Sequence, residues 1–323
     1  MTRRDDVAPA SPTADQITIS GGGTEAVIAV LGATLRTLTQ DGGPLIDGFG
    51  ADQAVPYGRG QLCLPWPNRI RNGVYTWDGV EIQAPINEPD RDAALHGLVR
   101  WAIWEVRAQA ADSVTLGYRL CPQDGYPFLV DLEIVYAIGA AGLDVTLIAT
   151  NKGTAAAPYG FATHPYLRVG DHHIDDCLLQ VSAKNVLLTD AQLMPTELIG
   201  VSGTQYDFTV AAPLLDRDLD NAFHGVEVGE DGRCWSTLWG PTGKDATSMW
   251  WVADGCGWFQ VCTGDAFPLV AWRRRGIAME PMTCPPNAFQ TGEDVVRIEP
   301  GADFTVRWGI QRGPQPGLTF PGA

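Results

Sequence analysis

Hydrophobic and polar residues alternate with period two along much of the chain. In FLVDLEIVYAI, Phe128, Val130, Leu132, Ile134, Tyr136 and Ile138 share one face, and Asp131 and Glu133 lie on the other. SVTLGYRL places Val114, Leu116, Tyr118 and Leu120 on one face, and DFTVRWGI does the same with Phe304, Val306, Trp308 and Ile310. Successive strand side chains point to opposite faces, so these segments predict half-buried strands. Turn clusters such as TQDGGP, QDGY, NKGT, GEDGR and PTGKD separate them, and ITISGGGTEA predicts a hairpin. Only NVLLTDAQLMPTEL (185–198) suggests a turn or two of helix. Many strands with frequent turns predict an all-β chain, a large antiparallel sandwich or barrel. With no fixed-period repeat and no dividing linker, residues 17–323 are expected to form one domain behind a loose tail, residues 1–16.

The chain has 323 residues, 45% of them apolar, enough for a sizeable core. Its net charge of −16 disfavours nucleic acid and anionic membrane as partners. The seven cysteines include no C-x-x-C pair, which points to reduced thiols and against a zinc site. The N-terminal arginines precede no apolar signal region, and no run reaches the ~18 residues of a membrane span. A cytoplasmic protein, monomer or homodimer, is expected.

Candidate chemistry is concentrated in a few segments. GIAMEPMTCPPNAF ends an apolar run in one carboxylate, Glu280, followed by prolines. Burying an acid is costly unless it is paired, and desolvation makes a carboxylate a stronger base. His164 precedes Pro165, which restricts it to extended backbone. His96 precedes Gly97, where backbone can approach a ligand closely. Asn68 and Arg69 follow a Pro-Trp-Pro element, whose Trp66 offers a flat apolar face suited to sugar C–H groups. Asp220 leads from an acidic loop into an apolar turn. His172, His173 and His224 read as ordinary turn or packed histidines. Arg273, Arg274 and Arg275 form the one basic run, read either as a solvated or ion-paired hairpin or as an anion-recognition element. No G-x-S-x-G elbow, P-loop or dinucleotide fingerprint occurs.

Taken together, WPNRIRNGVY, LHGLVRWAIWEV, ATHPYLRVG, LDNAF and AMEPMTCPPNAF resemble the segments of the aldose 1-epimerase (galactose mutarotase) family, in the family's order. Leu167 stands where that family more commonly has phenylalanine. The resemblance implies a mutarotase-like supersandwich acting on a small sugar. It implies Glu280 as the base that takes the anomeric proton and His164 as the acid that protonates the ring oxygen. It implies His96 hydrogen-bonding near that oxygen, with Arg69 and Asp220 holding sugar hydroxyls. Asn68 would position Arg69 or the sugar.

Interconverting α and β anomers requires ring opening: the anomeric O–H loses a proton while the ring oxygen gains one. A base and an acid on opposite sides suffice, without metal, nucleotide or covalent intermediate. The expected resting state is an ionised Glu280 with a protonated His164. A free hexose is the expected substrate, with a hexose 6-phosphate or other anionic sugar as the alternative. A non-catalytic sugar-binding protein would not need the acid–base pair. A glycoside hydrolase using Asp220 and Glu280 would leave the histidines without a role.

Overall fold

The alternating segments form strands whose register decides which faces meet. The computed structural model describes residues 11–318 and 320. Val130–Ile138 pairs antiparallel with Ser113–Leu120 on one side and Gly142–Asn151 on the other. These three belong to a nine-stranded sheet that starts at Glu105–Gln109 and continues through Asp303–Arg312, Ala246–Val252, Arg233–Trp239 and Leu178–Val181 to Ala212–Pro213. A second sheet of eight strands runs Pro195–Gly200, Asn185–Thr189, Asp220–His224, Trp258–Cys262, Ile277–Met282, Ala162–Thr163, Leu62–Cys63, with Tyr166–Leu167 also on Ile277–Met282.

The two sheets share one apolar core. Leu132, Ile134 and Leu147 of the first sheet join Val186, Phe259 and Met279 of the second in one buried cluster. Trp251 lies flat on Phe259 across the interface, ring centroids 4.6 Å apart. Each buried Leu, Ile or Phe contributes about 1.5–3 kcal/mol, so the face-to-face arrangement is the main stabilising feature. The fold is the expected antiparallel β-sandwich. Gln16–Gly21 and Thr24–Ala29 form the hairpin predicted around Gly22 and Gly23, within a four-stranded N-terminal sheet.

Three expectations are corrected. The segment 185–198 holds no helix: Asn185–Thr189 and Pro195–Gly200 pair as a hairpin. Asp190 Oδ1 accepts from the amides of Gln192 and Met194, so a side-chain-capped turn replaces the helical one. The loose segment expected over residues 1–16 does not extend to residue 16. Residues 1–10 lie outside the described residues, but Thr13 is fully buried and the Asp15 carbonyl accepts from the Val30 amide. Trp66 is no sugar platform: it is buried against Phe289. Among the described residues no helix is long and apolar enough to cross a membrane.

Candidate active site

The strand Ile277–Met282 is buried on both faces, and its alternation divides its side chains between them. Ile277 and Met279 enter the shared core. Met282 faces away with Trp258, Ala162 and Cys63 in a second small cluster. Glu280, two residues from Met282, shares that second face. Gln260 pairs opposite Glu280, and Asp220 pairs opposite Cys262, so Asp220, Gln260, Cys262 and Glu280 also share it. Gln260 Nε2 donates to Asp220 Oδ1 at 2.7 Å.

His164 arrives from the other side. Ala162 pairs with Met282, and Tyr166 with Ala278. The same register carried between them sets His164 across from Glu280. The sheet parts at this point, where Pro281 has no amide hydrogen to donate. His164 Nε2 lies 3.4 Å from Glu280 Oε1, and both side chains are more than nine-tenths buried. Tyr166 stacks on the His164 ring, and the Arg59 guanidinium lies 4.2 Å over Tyr166.

A third group comes from the short strand Arg69–Arg71, paired with Ala93–Leu95. Arg69 forks onto Glu88 through Nε at 2.6 Å and Nη2 at 2.9 Å. Arg91 also donates to Glu88. Asn68 Oδ1 accepts from the Arg69 amide and Nη1, which fixes the fork from behind. Asn68 and His96 both have left-handed backbone, φ 50° and 59°, and are tied reciprocally. The His96 amide donates to the Asn68 carbonyl, and the Asn68 amide donates to His96 Nδ1. With Nδ1 accepting, the proton of the neutral His96 ring is on Nε2, which therefore acts as a donor. Gly97, expected from sequence to let backbone come close to a ligand, instead packs against backbone: a Cβ there would collide with the Leu64 carbonyl. Beyond Glu280 the chain returns to this group: the Asn287 amide donates to the Arg69 carbonyl, and its side chain accepts from the Arg71 amide.

Glu280, His164, His96, Asn68, Arg69 and Asp220 all line one cavity of about 310 Å³, within the size range of small-molecule sites. Tyr57, Tyr166, Phe267 and the exposed Trp101 supply its aromatic walls. Burial, and then the Asp220 carboxylate, push Glu280 well above the usual carboxylate range, while Arg69 opposes the shift. Burial also raises Asp220, against Arg69 and the Gln260 hydrogen bond. Burial pushes His164 down to about 3 and His96 well below the usual histidine range. Burial thus argues against the expected protonated His164: it penalises the charged ring and favours the neutral imidazole.

The basic run lies elsewhere. Arg273 donates to the Phe267 carbonyl, Arg274 pairs with Asp175 and Asp265, and Arg275 pairs with Asp47. Arg71 pairs with Asp190. Among the lining residues not singled out from sequence are Glu88, Arg100, Tyr57 and Cys262. Glu88 sits in NEPDRD, which carried no signal beyond an acidic turn.

The cavity thus sets a carboxylic acid beside an imidazole on one sheet of an antiparallel sandwich. The chain belongs to the aldose 1-epimerase family, whose model matches residues 15–311. It is 36% identical over 298 residues to YihR of Escherichia coli K12, covering 91% of this chain and 92% of that protein. It is 26% identical over 230 residues to a maltose epimerase of Levilactobacillus brevis, 65% of each chain. A crystal structure of an aldose epimerase homologue from C. elegans superposes with a TM-score of 0.82 at 20% identity, over 93% of this chain and 99% of that one.

Proposed function

We propose that the protein interconverts the α and β anomers of a free hexose by acid–base ring opening and closure. The observation that carries this reading is the placement of His164 Nε2 3.4 Å from Glu280 Oε1 in a cavity that combines polar clamps with aromatic walls. The two groups stand side by side, not on opposite sides of the ring as the sequence reading had it. That suits the chemistry, because the anomeric oxygen and the ring oxygen hang on the same carbon.

The pair works with one titrating proton. Burial favours it on Glu280, with both groups uncharged. Transfer to His164 gives a carboxylate and an imidazolium. A sugar whose anomeric O–H donates to Glu280, and whose ring oxygen accepts from His164, favours that charged form. Glu280 then takes the anomeric proton as the C1–ring-oxygen bond breaks, and His164 delivers its proton to the departing oxygen. Rotation about C1–C2 and the reverse transfers close the ring on the other face. His96 Nε2–H steadies the ring oxygen, and Arg69 and Asp220 hold hydroxyls. Each proton transfer supplies roughly 10²–10⁴-fold in rate. The test is anomer exchange of freshly dissolved α-glucose and α-galactose followed by NMR. No acceleration for any sugar, phosphorylated ones included, would leave a binding protein as the better reading.

A second reading, the same reaction on a sugar bearing an anionic group, is favoured by Arg100. Arg100 lines the cavity and has no carboxylate partner among the described residues; its Nε is buried without an acceptor. The discriminating measurement is kcat/KM for neutral and phosphorylated hexoses in wild type and Arg100→Gln. A selective loss on the phosphorylated sugar supports this reading, and an equal loss on both supports the free hexose.

A further inference from the structure

A second cavity, of about 330 Å³, lies behind the candidate active site and is lined by Thr37, Gly48, Asp47, Arg168, Trp272 and Arg275 among others. Its charge is unbalanced. Asp47 is fully buried and is the only carboxylate in the lining. It already accepts from Arg59 through both Nε and Nη2, at 3.1 and 3.0 Å. Arg275 Nη2 takes its other oxygen at 2.8 Å. Arg168 is left 3.7 Å away, about four-fifths buried, and its side chain makes no hydrogen bond among the described residues. Its other acidic neighbour, Asp171, is also 3.7 Å off and stands in solvent. Three guanidiniums thus surround one carboxylate, at the edge of an open cavity, on a chain of net charge −16. A buried cation without a hydrogen-bonded counterion is costly, and planar guanidinium forks match oxyanions.

We propose that this cavity binds a phosphoryl group, with Arg168 and the free edge of Arg275 as its ligands. It is distinct from the sugar pocket, from which the Asp47–Arg59 pair separates it. The cavity is larger than a bare phosphate needs, which leaves room for the body of a phosphate ester beside Trp272.

The test is calorimetric titration of the full chain with inorganic phosphate, and separately with glycerol phosphate, at constant ionic strength set by chloride. One-to-one binding is expected, tighter for the ester if the organic body contributes and equal if the free anion is the ligand. Arg168→Gln, which removes no hydrogen bond of the fold, is expected to weaken binding about tenfold, the loss of a charge-assisted contact. Arg275→Gln is a second variant should the first unfold, and thermal melts establish that each is folded. Arg100→Gln reports on the sugar pocket. The proposal is overturned if neither ligand binds, or if Arg100→Gln abolishes binding while Arg168→Gln and Arg275→Gln leave it intact.

Discussion

His164 and Glu280 face each other across adjacent strand segments, Nε2 to Oε1 at 3.4 Å, and among the described residues no arginine pairs with the carboxylate. The register that pairs Ala162 with Met282 and Tyr166 with Ala278 makes this opposition a property of the sheet. The two groups are buried side by side, so their charges are set jointly, and the pair is the unit that titrates.

The pH dependence follows from that. Activity requires one proton on the pair. On the acid side it is lost only when the neutral His164 gains a second proton, toward pH 3. On the alkaline side it is lost as the proton leaves Glu280, whose carboxyl is raised well above its ordinary 4.5. The kcat/KM profile for anomer exchange should therefore lack an acid limb near 6.5, where a solvent-exposed histidine would put one. An acid limb centred near 6.5 would contradict the neutral resting imidazole.

Glu280→Gln is expected to cut kcat by roughly 10²–10⁴-fold and yet to stabilise the fold at neutral pH. The sign comes from proton linkage. A carboxyl raised on folding binds more protons folded than unfolded above about 4.5. Its stabilising contribution is complete below that value and is lost as pH rises through the folded one. Glutamine cannot ionise, so the variant is free of this pH-dependent loss. Thermal melts from pH 4 to 8 should show the variant's advantage growing with pH; an advantage that shrinks would sink this account.

Strand alternation, turn chemistry and the sandwich were legible in the sequence because they rest on local patterns such as Val130–Ile138. Glu280 was legible because an acid ending an apolar run is anomalous wherever it lies. The resemblance then grouped it with His164, His96, Asn68, Arg69 and Asp220, which line one cavity. Long-range electrostatics were not legible. Nothing in NEPDRD shows that Glu88 neutralises Arg69, and nothing in WRRRG shows that its three arginines are used by Phe267, Asp175, Asp265 and Asp47. The protonation of His164 was misjudged for the same reason. Its depressed basicity comes from desolvation by strands far apart in sequence.

Glu88 is expected to matter as much as the residue it holds. It receives a two-point fork from Arg69 and a further bond from Arg91. Burial alone would raise its carboxyl, but these arginines outweigh that and hold it below the usual range. Glu88→Gln removes the charge and leaves Arg69 in the pocket facing only Asn68 and Asp220. A destabilisation of about 3 kcal/mol follows from breaking a largely buried pair. Because Arg69 is a clamp and not a proton carrier, KM should rise more than kcat falls. A fall in kcat alone would place Glu88 in the proton transfers instead.

His96 tests whether the left-handed corner serves the ring oxygen. Its φ of 59° is uncommon for a side chain larger than glycine, and its Nδ1 is committed to the Asn68 amide. Asparagine tolerates left-handed backbone, so His96→Asn should keep the turn and the fold. What it loses is the Nε2 donor reaching into the cavity. A single neutral hydrogen bond, worth about 0.5–1.5 kcal/mol, corresponds to a loss of up to roughly tenfold in kcat/KM. His96→Gly relieves the backbone and removes the ring entirely, so it should melt no lower than the asparagine variant while losing at least as much activity. If the glycine variant keeps full activity, His96 only shapes the turn, and the donor to the ring oxygen must be sought elsewhere in the pocket.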